Sequence, residues 1–381
     1  MTPLVFLFVL SFVMAVDNRI IAPLLPSISD SLAATPGAAG LAMTTYAFAY
    51  GAGQLVYGPL SDRYGRVAVV RVAALLFCVC TTLSGLAATL PQFVALRLLT
   101  GAFAAASIPL TLAYIGDRFA YGERQTAIGR LAATTSSAQA LSASVGGIVA
   151  HFVSWRVMFV GYGVLTLLPA LLMFRLDSAR PEPPPDAHDA ATGFVDLLTD
   201  RRAIPVYIAV AVEAFFLWGG YTYLGAFAAR RHGLDQLQVG LLLALFGIGT
   251  MTGGLLVPRL TRVLSEGALA GSGGLVMGAA FIALIPRWPW PVFAAAMLML
   301  GLGFMALHTT LQLRGTEINP AARGKAFSLF AFFLFSGVAL GTAVLGRLID
   351  AGFEDLLWAL CGGGLALVGL YTAGPRRTLR P

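Results

Sequence analysis

Five ionisable side chains lie where this chain has least room for charge: Asp17, Arg19, Arg97, Glu213 and His308 all fall inside long apolar runs. A charge at the depth of a bilayer is costly unless paired or wetted, so each is a candidate for function. A carboxylate and a guanidinium brought together there form an ion pair that a proton weakens, which couples protonation to rearrangement of the helices carrying them. A static structural pair is the alternative. Glu213 has no obvious basic partner in the sequence. It can serve as a second proton site, attract a cation, or be protonated and merely hydrogen-bonded. Arg19, two positions from Asp17, faces about 200° away from it on a helix and is expected to snorkel to the surface. Asn18 can line a cavity or join two helices by a hydrogen bond. His308 and Gln312, four apart, share a helix face near the cytoplasmic end of their span, where a histidine serves packing or a proton relay. Tyr46, Tyr50 and Gln54 recur every four residues, a stripe suited to a cavity wall or to the membrane interface.

These groups need long apolar elements to hold them. The 381 residues are 58% hydrophobic and 11% charged, with a mean hydropathy of +0.81, too little charge to cover a water-soluble core. Apolar stretches of about 20 residues match a hydrocarbon layer of about 30 Å. Cutting the chain at Gly, Pro and charge clusters predicts twelve spans, starting near residues 3, 37, 67, 93, 126, 155, 204, 237, 267, 290, 325 and 354. The first run, Pro3 to Leu25, lacks a basic n-region and an Ala-x-Ala site and reads as a retained helix. With the N-terminus inside, 18 of the 25 basic residues fall on the cytoplasmic side, which orients both termini there. The excess of Arg over Lys, with Lys325 alone, points to a bacterial inner membrane. Cys78, Cys80 and Cys361 lie in apolar runs and suggest neither disulfides nor a metal site. The net charge of +7 is explained by topology, and no nucleic-acid partner is expected.

The halves are related. Gly58 and Arg63 recur 196 residues later as Gly254 and Arg259, and Gly146 recurs 195 residues later as Gly341. That spacing predicts an internal duplication: a six-helix bundle over 1–175, a Pro- and Asp-rich cytoplasmic linker over 176–202, and a second bundle over 203–381. In this frame Asp17 lies about 21 Å from the cytoplasmic edge of an outward-running helix and Arg97 about 6 Å from the outer edge of an inward-running one, so both occupy the outer third.

Between the second and third spans runs GPLSDRYGRVAVVR, residues 58–71. Gly58 and Gly65 permit a tight turn, the arginines hold it in the cytoplasm, and Asp62 can meet an arginine or a helix N-terminus. The stretch resembles the major facilitator superfamily signature GxLxDRxGRR at Gly58, Leu60, Asp62, Arg63, Gly65 and Arg66, with Val67 in place of the last Arg. The resemblance covers essentially the whole chain and implies an all-α integral membrane fold of twelve helices in two pseudo-symmetric six-helix bundles. It implies that this loop latches the outward-facing state through Asp62 against the eleventh helix, which would begin near Gly324. ALRLLTGAFAAA, with Arg97 and Gly101, is similar to the motif of proton-coupled members, whose Arg faces the central cavity. SASVGGIVAHFVSWRVMF is similar to the antiporter motif of the fifth helix, with Gly146 and Gly147 in place and Ser142 and Ala143 where the family has Gly-Pro. DNRIIAPLLPSIS and LHTTLQLRGTEINPAARGKAFSLFAFFLFSGVALG resemble the drug and sugar efflux branch.

The expectation is therefore a secondary active transporter, a proton-coupled exporter of small amphipathic compounds or sugars working by alternating access as a monomer. An importer of the same fold, proton-coupled or facilitative, is the alternative. Its partners would be a small-molecule substrate, protons and the lipid bilayer, with no cofactor. No GxxxxGK[ST] loop is present to support ATP drive. An enzyme or receptor would need a nucleophile with its base, a metal cluster or a large soluble domain, and the sequence offers none.

Overall fold

The computed structural model describes residues 3–119, 121–175, 193–319 and 322–374. It is helical throughout, in the order α1 (Pro3–Asp17), α2 (Ile21–Ser31), α3 (Pro36–Tyr64), α4 (Arg66–Gly85), α5 (Leu90–Ala104), α6 (Ser107–Arg118), α7 (Tyr121–Phe152), α8 (Trp155–Leu172), α9 (Phe194–Thr199), α10 (Ala203–His232), α11 (Gln236–Leu260), α12 (Glu266–Ile282), α13 (Trp290–Glu317), α14 (Arg323–Asp350) and α15 (Glu354–Ala373). Eight spans are long and apolar enough by themselves to cross a membrane, with α5 and α6 together forming one, and the bent pair α1–α2 makes a ninth. The remaining three are α12, of 17 residues, and α3 and α7, whose Gly, Ser and Thr dilute their hydropathy. The starts agree with the sequence expectation to within five residues, because Thr35, Thr89, Ser154, Asp235 and Ser265 cap the helices they precede.

Two spans break where sequence reading had one continuous helix. α1 and α2 meet at 53°. Pro23 and Pro26 explain this: neither donates an N–H, and their rings displace the carbonyls of Arg19 and Ala22. The freed end of α1 is held by Ser142, whose hydroxyl donates to the Val16 carbonyl at 2.8 Å. The fourth span breaks between α5 and α6, where Pro109 displaces the Ala105 carbonyl. Gln54 on α3 supplies a substitute donor to it, Nε2 to O at 3.4 Å.

Helices α1 to α8 form one bundle, with α4 against α5 and α8 and α1 against α7; α10 to α15 form the other, with α12 between α13 and α15 and α11 against α13. The bundles meet along α3 with α14, α7 with α11, and α2 with α10. Most of the expected linker lies outside the described residues. Its end forms α9, whose Leu197 is buried.

Candidate functional site

Asp17 ends α1 and Arg97 lies in the middle of α5, and the fold brings them together. Arg97 Nη1 donates to Asp17 Oδ1 at 2.7 Å, and both side chains are 0% exposed. The Tyr162 hydroxyl of α8 donates to the same oxygen. Beneath the guanidinium lie the rings of Tyr46, 4.4 Å from centre to centroid, and Phe159, 5.4 Å. Asp17 Oδ2, Arg97 Nε and Nη2 and the Tyr46 hydroxyl are buried without a hydrogen-bond partner. The pair is thus enclosed by aromatic rings yet only partly satisfied. A buried pair of this kind is held by few bonds and is strongly destabilised when one partner loses its charge.

The residues that follow Asp17 reach the seam between the bundles. Asn18 is 6% exposed and its Oδ1 has no partner. Arg19 does not snorkel: the break in the span resets the helical phase and turns its guanidinium onto Trp218 of α10, 3.2 Å above the ring centroid. Both residues line a half-open recess of the seam with Ile21, Ala22, Met43, Trp218, Tyr221 and Thr222. Around Trp218 stand Tyr221, Phe246 and Phe304 at 5.2 to 5.6 Å, each edge-on to the indole.

Glu213 finds the partner that the sequence did not disclose. His308 Nδ1 lies 2.9 Å from Glu213 Oε2, with Glu213 1% exposed and its Oε1 unpartnered. His308 also stacks on Phe304 at 4.6 Å. This corrects the placing of His308 near the cytoplasmic end, since packing of α13 on α10 sets it level with Glu213. Gln312, four residues on, is exposed and makes no hydrogen bond among the described residues. The stripe of α3 is buried, not lipid-facing: Tyr46 lies under Arg97, Tyr50 packs on Phe335 of α14 at 4.2 Å, and Gln54 bonds to Ala105.

At the end of the bundles carrying the α3–α4 turn, called the loop end, Gly65 takes φ +89° and links the two helices. Asp62 is 64% exposed and pairs with Arg66 one turn on, not with the start of α14. Arg66 in turn bonds to Ser61 and to Asp117 of α6 at 3.2 Å. Arg63 lies with its guanidinium over the Tyr64 ring, and Gly58 faces open space.

The bundles close at the other, far end. Gly147 of α7 meets Gly240 of α11 so closely that a Cβ on either would lie 2.6 Å from the other's Cα. Gly146 beside it accepts the Ile20 side chain. Asp350, the last residue of α14, accepts from Gly37 N at 2.8 Å and from the Thr35 hydroxyl at 2.6 Å, capping the N-terminus of α3. Gln236 of α11 donates to the Pro23 carbonyl, and Ser27 donates to Gln236 at 3.0 Å. With the far end closed, the loop end shows no ion pair between Asp62 and α14 among the described residues. Tyr162, Trp218, Tyr221 and Asp350 escaped the sequence reading, which noted Ser142 only as a departure from the antiporter motif. The one visible signal was Trp218, an indole far from either end of its span.

Two broken spans, buried charges in each bundle and a seam between bundles of six are the features of a membrane transporter. The chain matches the Major Facilitator Superfamily over residues 7–342 and belongs to that family. It is 27% identical over 371 residues to the uncharacterized MFS-type transporter YceJ of Bacillus subtilis (strain 168), covering 93% of each chain. To a chloramphenicol resistance protein of Pseudomonas aeruginosa it is 26% identical, over 86% of this chain and 78% of that one. To a probable sugar efflux transporter of Helicobacter pylori (strain G27) it is 26% identical, over 96% and 93%. In fold it is similar to a bacterial homolog of the human lysosomal transporter Spinster in an inward-facing, unoccupied conformation. There the TM-score is 0.76 at 18% identity, over 97% of this chain and 93% of that one.

Proposed function

We propose that this protein is a proton-coupled exporter of small amphipathic compounds in a bacterial inner membrane, with the loop end in the cytoplasm. The observation that carries the reading is the fully buried Asp17–Arg97 pair, set at the break of the first span. While Asp17 is charged, α1, α5 and α8 are tied together through Arg97 and Tyr162. A proton on Asp17 removes the charge that Arg97 holds, and the end of α1 is released. The change passes through residues 18–20 to Arg19 and to α2, which bonds to α11 of the other bundle through Gln236. Protonation and access are then two readouts of one rearrangement. Glu213 with His308 is the matching proton site of the second bundle, and the motif loop with Asp62, Arg63 and Arg66 steadies the state opened at the far end.

Export is supported by the antiporter-like Gly146–Gly147 stretch and by relatives named for chloramphenicol resistance and sugar efflux. The test is proton release from purified protein in unbuffered solution as compounds are added, with Asp17→Asn and Glu213→Gln alongside. Release that disappears in Asp17→Asn is expected. Release unchanged in both variants, or none with a compound that binds, refutes the coupling. Accumulation in everted vesicles reads the direction.

A further inference from the structure

The seam carries one positive charge that the protein does not answer. Of the three basic side chains inside the spans and near the centre, Arg97 faces Asp17 and His308 faces Glu213. Arg19 faces an indole, and its side chain makes no hydrogen bond or ion pair among the described residues. A cation at that depth without a counter-charge is costly, and one retained there has a use. The indole covers one side of the guanidinium, whose terminal N–H groups can make two parallel bonds to a planar anion.

The other polar groups of the recess narrow the ligand further. The Tyr221 hydroxyl already donates to the Leu243 carbonyl at 3.3 Å, and that of Thr222 to the Trp218 carbonyl at 2.9 Å. Asn18 is the exception, 6% exposed with Oδ1 unpartnered. What remains to be satisfied is one cation and one amide acceptor, side by side, against walls of Ile21, Ala22 and Met43. A buried acceptor left empty is costly, so a ligand that fills it gains specificity as well as affinity.

We infer that Arg19 and Asn18 form the headgroup site for an amphipathic organic monoanion. The anionic group sits on the Arg19 edge, an adjacent O–H or N–H of the ligand donates to Asn18, and the apolar body lies against the α2–α3 wall. Trp218, on the opposite bundle, holds the guanidinium in position, so the ligand is read by both halves. This deepens the exporter reading by naming its substrate class and rests on it for the direction of transport.

The experiment is equilibrium binding to the purified full-length protein of mandelate, its neutral isostere mandelamide, phenyl phosphate and tetraphenylphosphonium. Arg19→Gln, Arg19→Lys and Asn18→Leu are run beside it, each checked for monodisperse elution. Mandelate is expected to bind at least tenfold more tightly than mandelamide. Arg19→Gln should erase that preference, Arg19→Lys keep part of it, and Asn18→Leu weaken both compounds. Phenyl phosphate, largely a dianion at neutral pH, is expected to bind more weakly than mandelate, and binding as tight as mandelate overturns the monoanion assignment. No mandelate binding, a preference that survives Arg19→Gln, or tighter binding of the cation overturns the inference. An Arg19-dependent preference without proton release would leave the headgroup site standing while coupled transport fails. Proton release driven by cations, indifferent to Arg19, would do the reverse.

Discussion

Replacing Asp350 by Ala should open the far end of the molecule. The carboxylate makes two bonds across the seam, to Gly37 N at 2.8 Å and to the Thr35 hydroxyl at 2.6 Å. Thr35 is itself the cap of α3, accepting from Ala38 N at 3.2 Å, so Asp350 anchors a helix N-terminus as well as a loop. Hydrogen bonds to a charged group are worth about 1.5–3 kcal/mol when shielded, and a carboxylate at a helix N-terminus adds about 0.3–1 kcal/mol. Asp350 is exposed, so solvent screening reduces the sum to about 1–2 kcal/mol. That is a shift of about five- to thirty-fold in the ratio of far-closed to far-open molecules. Spin labels on Asp30→Cys of α2 and Phe353→Cys beyond α14, both exposed and one in each bundle, report the separation. Cys78, Cys80 and Cys361 are buried and free, so they are replaced by alanine first. The distance distribution measured by electron–electron double resonance should gain a longer population in Asp350→Ala and a smaller one in Asp350→Asn. An unchanged distribution would refute the latch, and a shorter one would reverse its sign.

Three other outcomes are expected. His308→Phe leaves Glu213 buried with neither oxygen paired, so it should lower the unfolding midpoint in detergent more than the double variant Glu213→Gln/His308→Phe does. If the single and double variants melt alike, the pair is not coupled. Gly341→Ala places a Cβ inside the Phe215 carbonyl of α10, an overlap costing about 1–3 kcal/mol and measurable as a fall in the same midpoint. Gly240→Val drives a side chain into Gly147 and should lengthen the Asp30–Phe353 distance as Asp350→Ala does, although it breaks no hydrogen bond.

The spans were legible because Gly, Pro, capping residues and charges punctuate the apolar runs at their ends. Asp17 with Arg97 was legible too. Two charges of opposite sign inside apolar runs, placed by counting residues from each span's start, came out at the same depth. Glu213 with His308 was not, because depth alone does not say which helices are neighbours or how each is rotated. Arg19 was misplaced by assuming that one helical phase ran through residues 3 to 25. The sign was present in Pro23 and Pro26, which free carbonyls one turn back and end α1 before Arg19. Gln312 failed for a related reason, since sharing a face with His308 over four residues does not keep it inside where α13 runs out toward the loop end. Asp62 was expected to meet the start of the eleventh span and instead pairs with Arg66, one turn along its own chain.

On the proposed cycle, the unanswered charge of Arg19 is also expected to make transport sensitive to voltage. Carrying one elementary charge through the full membrane field is worth about 2.3 kcal/mol per 100 mV. In that cycle the two ends of the seam holding Arg19 open in turn, so each change of access would shift the field's drop from one side of the guanidinium to the other. With a monoanion bound, the site is neutral and that step is electrically silent. Without the monoanion it is charged, and the membrane potential acts on the return half of the proposed cycle, in which protons and no substrate are carried.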